Sequence, residues 1–186
     1  FNDLGVDELF FFDITATEEK RRISFELVEK LANECFMPFA VGGGINSIEY
    51  IRKLIKLGVE KISINSYAIE NPDFIREAAE VFGSQAIVVS IDVRKNENGN
   101  YWVVTHSGKR DTTIDAIDHS KTIEEMGAGE IIINSIDHDG TQSGYDLEIV
   151  KMIADAVDIP VIAAGGAGKS EHFLKVRKMA NASAAT

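Results

Sequence analysis

Met37-Pro38-Phe39-Ala40-Val41-Gly42-Gly43-Gly44 and Ile159-Pro160-Val161-Ile162-Ala163-Ala164-Gly165-Gly166 are two versions of one pattern. Each is a short apolar run after a proline, and each stops in glycines. An offset of 122 residues separates Pro38 from Pro160. The same offset separates Gly5 from Gly127, where Gly5-Val6-Asp7-Glu8-Leu9 resembles Gly127-Ala128-Gly129-Glu130-Ile131. A period of that length holds four strand–helix units, half of an eight-unit barrel. Alternating units also allow an open doubly wound sheet, but an open sheet gives no reason for such a repeat. The repeat therefore selects an α/β fold, a (β/α)8 TIM barrel of two half-barrel repeats.

The segments around the two glycine runs alternate as that fold requires. Glu8–Ile14 reads as a strand. Glu18–Glu34 reads as a helix, with Ile23, Leu27, Val28 and Leu31 on one face. Pro38–Val41 is a strand, and Ser47–Leu57 is a helix with Ser47 as N-cap and Gly58 at its end. Lys61–Asn65 is a strand, followed by a helix through Phe82 with Pro72 at its first position. Gln85–Asp92 is nearly continuous in β-branched residues, as a parallel strand buried on both faces should be. Val93–Arg110 breaks the rhythm: Asn96-Glu97-Asn98-Gly99-Asn100 before Tyr101–Thr105 predicts an inserted hairpin. The alternation resumes with helix 113–126, strand 130–136, helix 146–156, strand 160–163 and helix 170–179; Ala180–Thr186 begins another strand. The count gives strands two to seven and the start of an eighth. We therefore expect residues 1–186 to be a single barrel domain, truncated at both ends, with strand 1 and the last helix missing.

The 186 residues are 45% apolar and 26% charged, as in an ordinary globule. The chain opens on Phe1-Asn2-Asp3, already inside the pattern, with no signal peptide, and no apolar run is long enough to span a bilayer. The single cysteine, Cys35, fits a reducing cytoplasm and reads as a small buried hydrophobe. A formal net charge of −11 speaks against nucleic-acid or membrane partners. It does not exclude an anionic small molecule, which glycine loops bind through backbone N–H groups.

Active sites of such barrels form where strands end. The polar residues there are Asp13, Gly42–Gly44, Asn65, Ser66, Asp92, Asn134, Asp137, Asp139, Gly140, Thr141, Gly165 and Gly166. Two glycine loops half a barrel apart suit a substrate with a phosphate at each end; the plainer alternative is that they only make tight turns. Asp92 ends the most apolar strand and suits a general acid or base, the alternative being a loop cap or a partner for Arg94. Asp13, beside Thr15 and ahead of a basic run, suggests a loop anchor. Asp137 and Asp139 lack the histidine complement of a metal site, and no metal or other cofactor is expected. Glu8, Lys61 and Glu130 stand at strand starts, where charges form a salt-bridged plug.

Six runs carry a resemblance across essentially the whole chain: DELFFFDITAT (7–17), FAVGGGI (39–45), KISINS (61–66), VVSIDV (88–93), GAGEIIINSIDHDGTQSGYD (127–146) and AAGGAGKSEHF (163–173). They resemble the cyclase subunit of imidazole glycerol phosphate synthase. The resemblance implies a cytoplasmic lyase of histidine biosynthesis that takes ammonia from a glutaminase subunit in a heterodimer. It reacts that ammonia with a bis-phosphorylated ribulosyl aminoimidazole carboxamide, giving imidazole glycerol phosphate and aminoimidazole carboxamide ribotide. By resemblance Asp92 is catalytic. Gly44, Asn65 and Ser66 bind one phosphate; Asn134, Asp139, Gly140, Gly165 and Gly166 bind the other. Glu8, Lys61 and Glu130 belong to a charged ring that gates ammonia. The second aspartate of the family lies on strand one, so this polypeptide is expected to have little or no activity and to self-associate through open edges. The runs 34–38, 105–108 and 134–137 resemble a paralogous branch that amidates nucleotide-linked sugars of surface polysaccharides. An inactive barrel fragment is the third reading.

Overall fold

The structure is a computed structural model that describes residues 5–186. The opening Phe1-Asn2-Asp3 lies outside the described residues. In chain order the strands are β1 (Leu9–Phe12), β2 (Phe39–Gly42), β3 (Lys61–Ile64), β4 (Ile87–Lys95), β5 (Tyr101–Thr105), β6 (Arg110–Asp115), β7 (Glu130–Ser135), β8 (Val161–Ala164) and β9 (Ala184–Ala185). The helices are α1 (Phe25–Glu34), α2 (Ile48–Lys56), α3 (Ser66–Glu70), α4 (Asp73–Phe82), α5 (Ala116–Glu125), α6 (Leu147–Ala154) and α7 (Ser170–Ala180). Seven strands pair in parallel in the order β1-β2-β3-β4-β7-β8-β9. Each strand sits beside its predecessor and the order never reverses. That is the path of a (β/α)8 barrel; a doubly wound sheet turns back at a switch point.

Strand alternation sorts the side chains into two sets. One set points to the helices: Ile62, Ile64, Val89, Ile91, Val93, Ile131 and Ile133 share a core with Ile51, Leu54, Ile75, Ile123 and Ile153. The other set points into the curl of the sheet, where Val88, Ile132 and Ile162 cluster with Phe10 and Ala164. Each large aliphatic chain buried this way contributes about 1.5–3 kcal/mol. This double burial is why the stretch leading to Asp92 reads as a nearly continuous apolar run.

Most boundaries follow local chemistry. The Ser47 hydroxyl accepts from Tyr50 N–H to cap α2, and Gly58 turns the chain out at φ 97°. The hairpin forms as expected: the Asn96 side chain accepts from Asn98 and Asn100 N–H at 2.9 Å each. Three expectations need correction. Residues 18–24 are not helix; α1 starts after its cap Ser24 because Arg21 bends back to pair with Asp13, with Arg21 N–H bonded to Ala16 O at 3.0 Å. Residues 110–115 are a third hairpin strand, paired with β5, so α5 starts at Ala116 behind its cap Asp115. Pro72 precedes α4 rather than opening it, and the short α3 comes between. Among the described residues no helix is long and apolar enough to cross a membrane.

At the end where the parallel strands start, Lys61 bridges two carboxylates. Its Nζ lies 2.9 Å from Glu8 Oε2 and 2.7 Å from Glu130 Oε1. Burial pushes the Glu8 carboxyl up, with Lys61 acting against it; burial opposes the Lys61 charge, but the two carboxylates outweigh it and raise its pKa. Lys61→Met leaves two acids facing each other in a half-dry plug. We expect it to cost about 2 kcal/mol at pH 7. The loss should shrink toward pH 5, because Glu8 protonates above the usual carboxylate range. Urea unfolding at both pH values checks this; unchanged stability at pH 7 contradicts it.

Candidate functional site

Asp92 is the last inward-facing residue of β4 before the hairpin, level with Asn134 of β7. It is 6% exposed. Its two oxygens are held separately: Asn65 Nδ2 donates to Oδ2 and Asn134 Nδ2 donates to Oδ1, each at 3.0 Å. Burial raises the Asp92 carboxyl above the ordinary aspartate value; the two amides act against the shift and the Asp139 carboxylate adds to it. Below it on the inner face of β4 comes Ser90, level with Ile132 of β7, and the apolar cluster of Val88, Ile132 and Ile162 lies deeper in the curl. Arg94 is not its partner. That guanidinium pairs with Asp111 and donates to Gly108 O at 2.9 Å.

Asp92 lies on the floor of a cavity of about 470 Å³ that reaches from Gly43 to Gly165. Asn65, Ser66, Asn134 and Asp139 also line it. One cavity thus touches both glycine runs. A second, of about 490 Å³, is lined by Gly43, Gly44, Asn65 and Ser66 together with Lys20, Arg21, Arg22 and His106. The chain is acidic overall, yet this recess gathers three cations.

The glycines are required here for two different reasons. Gly43 and Gly44 have φ of 125° and 63°, and Gly165 and Gly166 have 79° and 101°. L side chains rarely adopt these values. Space is short as well: a Cβ on Gly43 would meet Asp13 O at 2.6 Å, and one on Gly165 would meet Asn134 Oδ1 at 2.4 Å. Tight turning and close approach are therefore both present, and the loops still border open cavities.

Asp13 is a loop anchor. Arg21 Nη2 donates to its Oδ1 at 2.9 Å, and the Arg21 hydrogen bond holds the carboxyl below the ordinary range. Gly140 has open space around it but borders neither cavity, and Gly166 packs against Gly144 and His138. Glu8, Lys61 and Glu130 stand at the opposite end of the strands from Asp92. Among the described residues no three His, Cys, Asp or Glu side chains gather to hold a metal ion. Asp137 is occupied by Lys95 N–H at 3.0 Å.

The sequence did not point to the hairpin tip as part of the mouth. Ser107 lines the first cavity and donates to Ile14 O at 2.9 Å, while His106 N–H donates to Ser66 Oγ at 3.1 Å. Lys109 adds an ion pair to Glu18 at 2.6 Å. The tip thereby clamps the 13–24 loop across the mouth. Positive φ at His106 and Ser107 was the one local feature of the turn, and it is not readable from residue type.

A family model described as histidine biosynthesis protein matches residues 1–186. The chain is 49% identical over 180 residues to the imidazole glycerol phosphate synthase subunit HisF of Thermococcus onnurineus, covering 96% of this chain and 71% of that protein. It is 51% identical over 173 residues to the subunit HisF of Pyrococcus furiosus, covering 92% and 68%. For the subunit HisF of a Hydrogenobaculum species the identity is 47% over 184 residues, covering 99% and 73%. The repeat, the barrel strand order and the matched family agree, and the chain belongs to the histidine biosynthesis protein family.

Proposed function

We propose that the chain is the cyclase subunit of imidazole glycerol phosphate synthase, a lyase-type enzyme of histidine biosynthesis. The observation that carries the chemistry is Asp92: a buried carboxyl, raised by desolvation, on the floor of a cavity that borders both glycine loops. The substrate is a ribulosyl aminoimidazole carboxamide with a phosphate at each end. One phosphate sits against Gly44, Asn65 and Ser66, beside the Lys20–Arg22 cations. The other sits against Asn134, Asp139 and Gly165, which line the cavity, with Gly140 and Gly166 in the loops behind them. Holding both ends fixes the middle over Asp92, so that cyclisation becomes a reaction of positioned groups.

Asp92 moves the proton. A carboxyl with a raised pKa is a stronger base when ionised than an ordinary aspartate. Asn65 and Asn134 keep its plane fixed, so reorganisation during transfer is small. Ammonia comes from a glutaminase partner docked at the plug end. Glu8, Lys61 and Glu130 form part of the gate through which it enters the barrel. The relatives are named as synthase subunits, which favours this reading over the sugar-amidating branch and over an inactive module.

Asp92→Asn, placed in a subunit of the relatives' full length, should lower kcat by at least about 100-fold. It should leave phosphate-ligand affinity unchanged. The sign for stability is opposite to that for activity. A carboxyl with a raised folded-state pKa favours the fold below its unfolded pKa and loses that contribution as pH rises through the folded value. In its ionised form Asp92 is therefore a burden on the fold, and above the folded-state pKa the asparagine variant should be at least as stable as the parent. Steady-state kinetics with urea unfolding above that pKa checks both; retained turnover sinks the assignment.

The 186-residue polypeptide alone offers two sheet edges, since among the described residues β1 and β9 each pair on one side only. Such edges recruit further strands. We expect little or no turnover from it and self-association in light scattering. A strict monomer, or turnover equal to a full-length subunit, contradicts this.

A further inference from the structure

One buried carboxylate has no part in the proposed reaction. Asp146 is 7% exposed and caps α6, accepting from Ile149 N–H at 3.4 Å. The other side-chain caps, Ser24, Ser47 and Asp115, take backbone N–H groups of their own helix. Asp146 draws donors from other elements as well. The Tyr101 hydroxyl of β5 lies 3.0 and 2.9 Å from its two oxygens, and the Ser135 hydroxyl at the end of β7 lies 3.3 Å from Oδ2. His138 Nδ1 is 3.5 Å from the same oxygen and 3.1 Å from Ser135 Oγ. Ser135 has one proton to give. Given to the carboxylate, it leaves Oγ to accept from His138 Nδ1–H. Tyr101 and Ser135 thus converge on Asp146, and His138 Nδ1 stands within hydrogen-bond distance of Ser135 Oγ.

These donors bracket the arch of residues 136–145, and the arch is in contact with the second glycine loop along its length. Gly144 N–H donates to Gly166 O at 2.8 Å. A Cβ on Gly166 would meet Gly144 O at 2.3 Å and His138 Cβ at 3.1 Å; one on Gly168 would meet Gln142 O at 2.5 Å. Asp139, on the same arch, lines the cavity and raises the Asp92 carboxyl. Arch and glycine loop are therefore packed together as one wall of the cavity.

We propose that Asp146 is a positioning residue for the second phosphate cradle: with Tyr101 and Ser135 it fixes the arch against Gly165 and Gly166 and so sets the cradle's affinity for a phosphoryl group. The inference rests on the reading of that loop as a phosphate site. Burial, then the Asp146 and Glu148 carboxylates, push the Tyr101 phenol up, so it stays a donor throughout the working pH range. Hydrogen bonds to a buried charge are stronger than neutral ones, so the hold is firm.

The test is a titration with inorganic phosphate, followed in ¹H–¹⁵N spectra of this sequence carried in a subunit of the relatives' full length. The amides of Gly165 and Gly166 report one cradle; those of Gly44 and Ser66 report the other. Asp146→Ser keeps a helix cap but cannot span the donors, and Tyr101→Phe removes one donor while leaving the cap intact. Both should weaken phosphate about tenfold at Gly165 and Gly166 and leave Gly44 and Ser66 unchanged. Asp146→Asn, which keeps one acceptor oxygen, should recover part of the loss. Wild-type affinity in Tyr101→Phe and in Asp146→Ser overturns the proposal, and so does equal weakening at both cradles. Should Asp146→Ser fail to fold, Tyr101→Phe alone decides. No phosphate response at Gly165 and Gly166 in the parent chain overturns the cradle itself, and that failure is distinct from the others.

Discussion

The structure depends on one constraint: a parallel sheet that curls must sort alternate side chains into an outer and an inner set. On β3, β4 and β7 the inner set begins with Lys61 or Glu130, passes through Val88 and Ile132, and ends at Asp92 and Asn134. Charge sits at one end, hydrocarbon in the middle and a carboxyl at the other. Shifting any of these strands by one residue would send the inner residues to the helices and the isoleucines into the barrel. The chemistry of Asp92 follows from that register. Its dryness comes from burial at the inner face of the sheet, and its orientation comes from Asn65 just past β3 and Asn134 on β7.

The plug and the site are therefore two consequences of the same sorting. Lys61 balances Glu8 and Glu130 at one end, so those carboxylates are matched by a cation. Among the described residues Asp92 has no cation facing it. It is held by neutral amides, which orient a carboxylate without neutralising it, and Asp139 adds a like charge. A stabilising arrangement would have placed a lysine or arginine there. The proposed role as proton carrier gains from that absence, at some cost in stability.

Much of this was legible in the sequence, and the reason is periodicity. The matched Pro38 and Pro160 runs, the nearly continuous apolar stretch before Asp92 and the charges at Glu8, Lys61 and Glu130 are all local patterns tied to strand position. What escaped is what depends on contacts between distant segments. Residues 18–24 have helical spacing, but Arg21 prefers the Asp13 carboxylate and unwinds them. Residues 110–115 pair with β5 instead of opening α5. Asp146 reads as an ordinary helix cap; only the fold brings Tyr101 and Ser135 onto it. Gly165 and Gly166 were read as phosphate loops, and their packing against the 136–145 arch was invisible until the arch was in place.

The central claim is that Asp92 is a dry, amide-held carboxyl whose proton affinity is raised by burial. Carbon-13 spectra of the Asp92 carboxyl across a pH series measure that directly, with Asp92→Asn identifying the signal. The account predicts a midpoint clearly above that of an ordinary aspartate, moving down when Ile132 beneath it is replaced by serine and water gains access. A midpoint at or below the ordinary value, or one indifferent to Ile132→Ser, would contradict it.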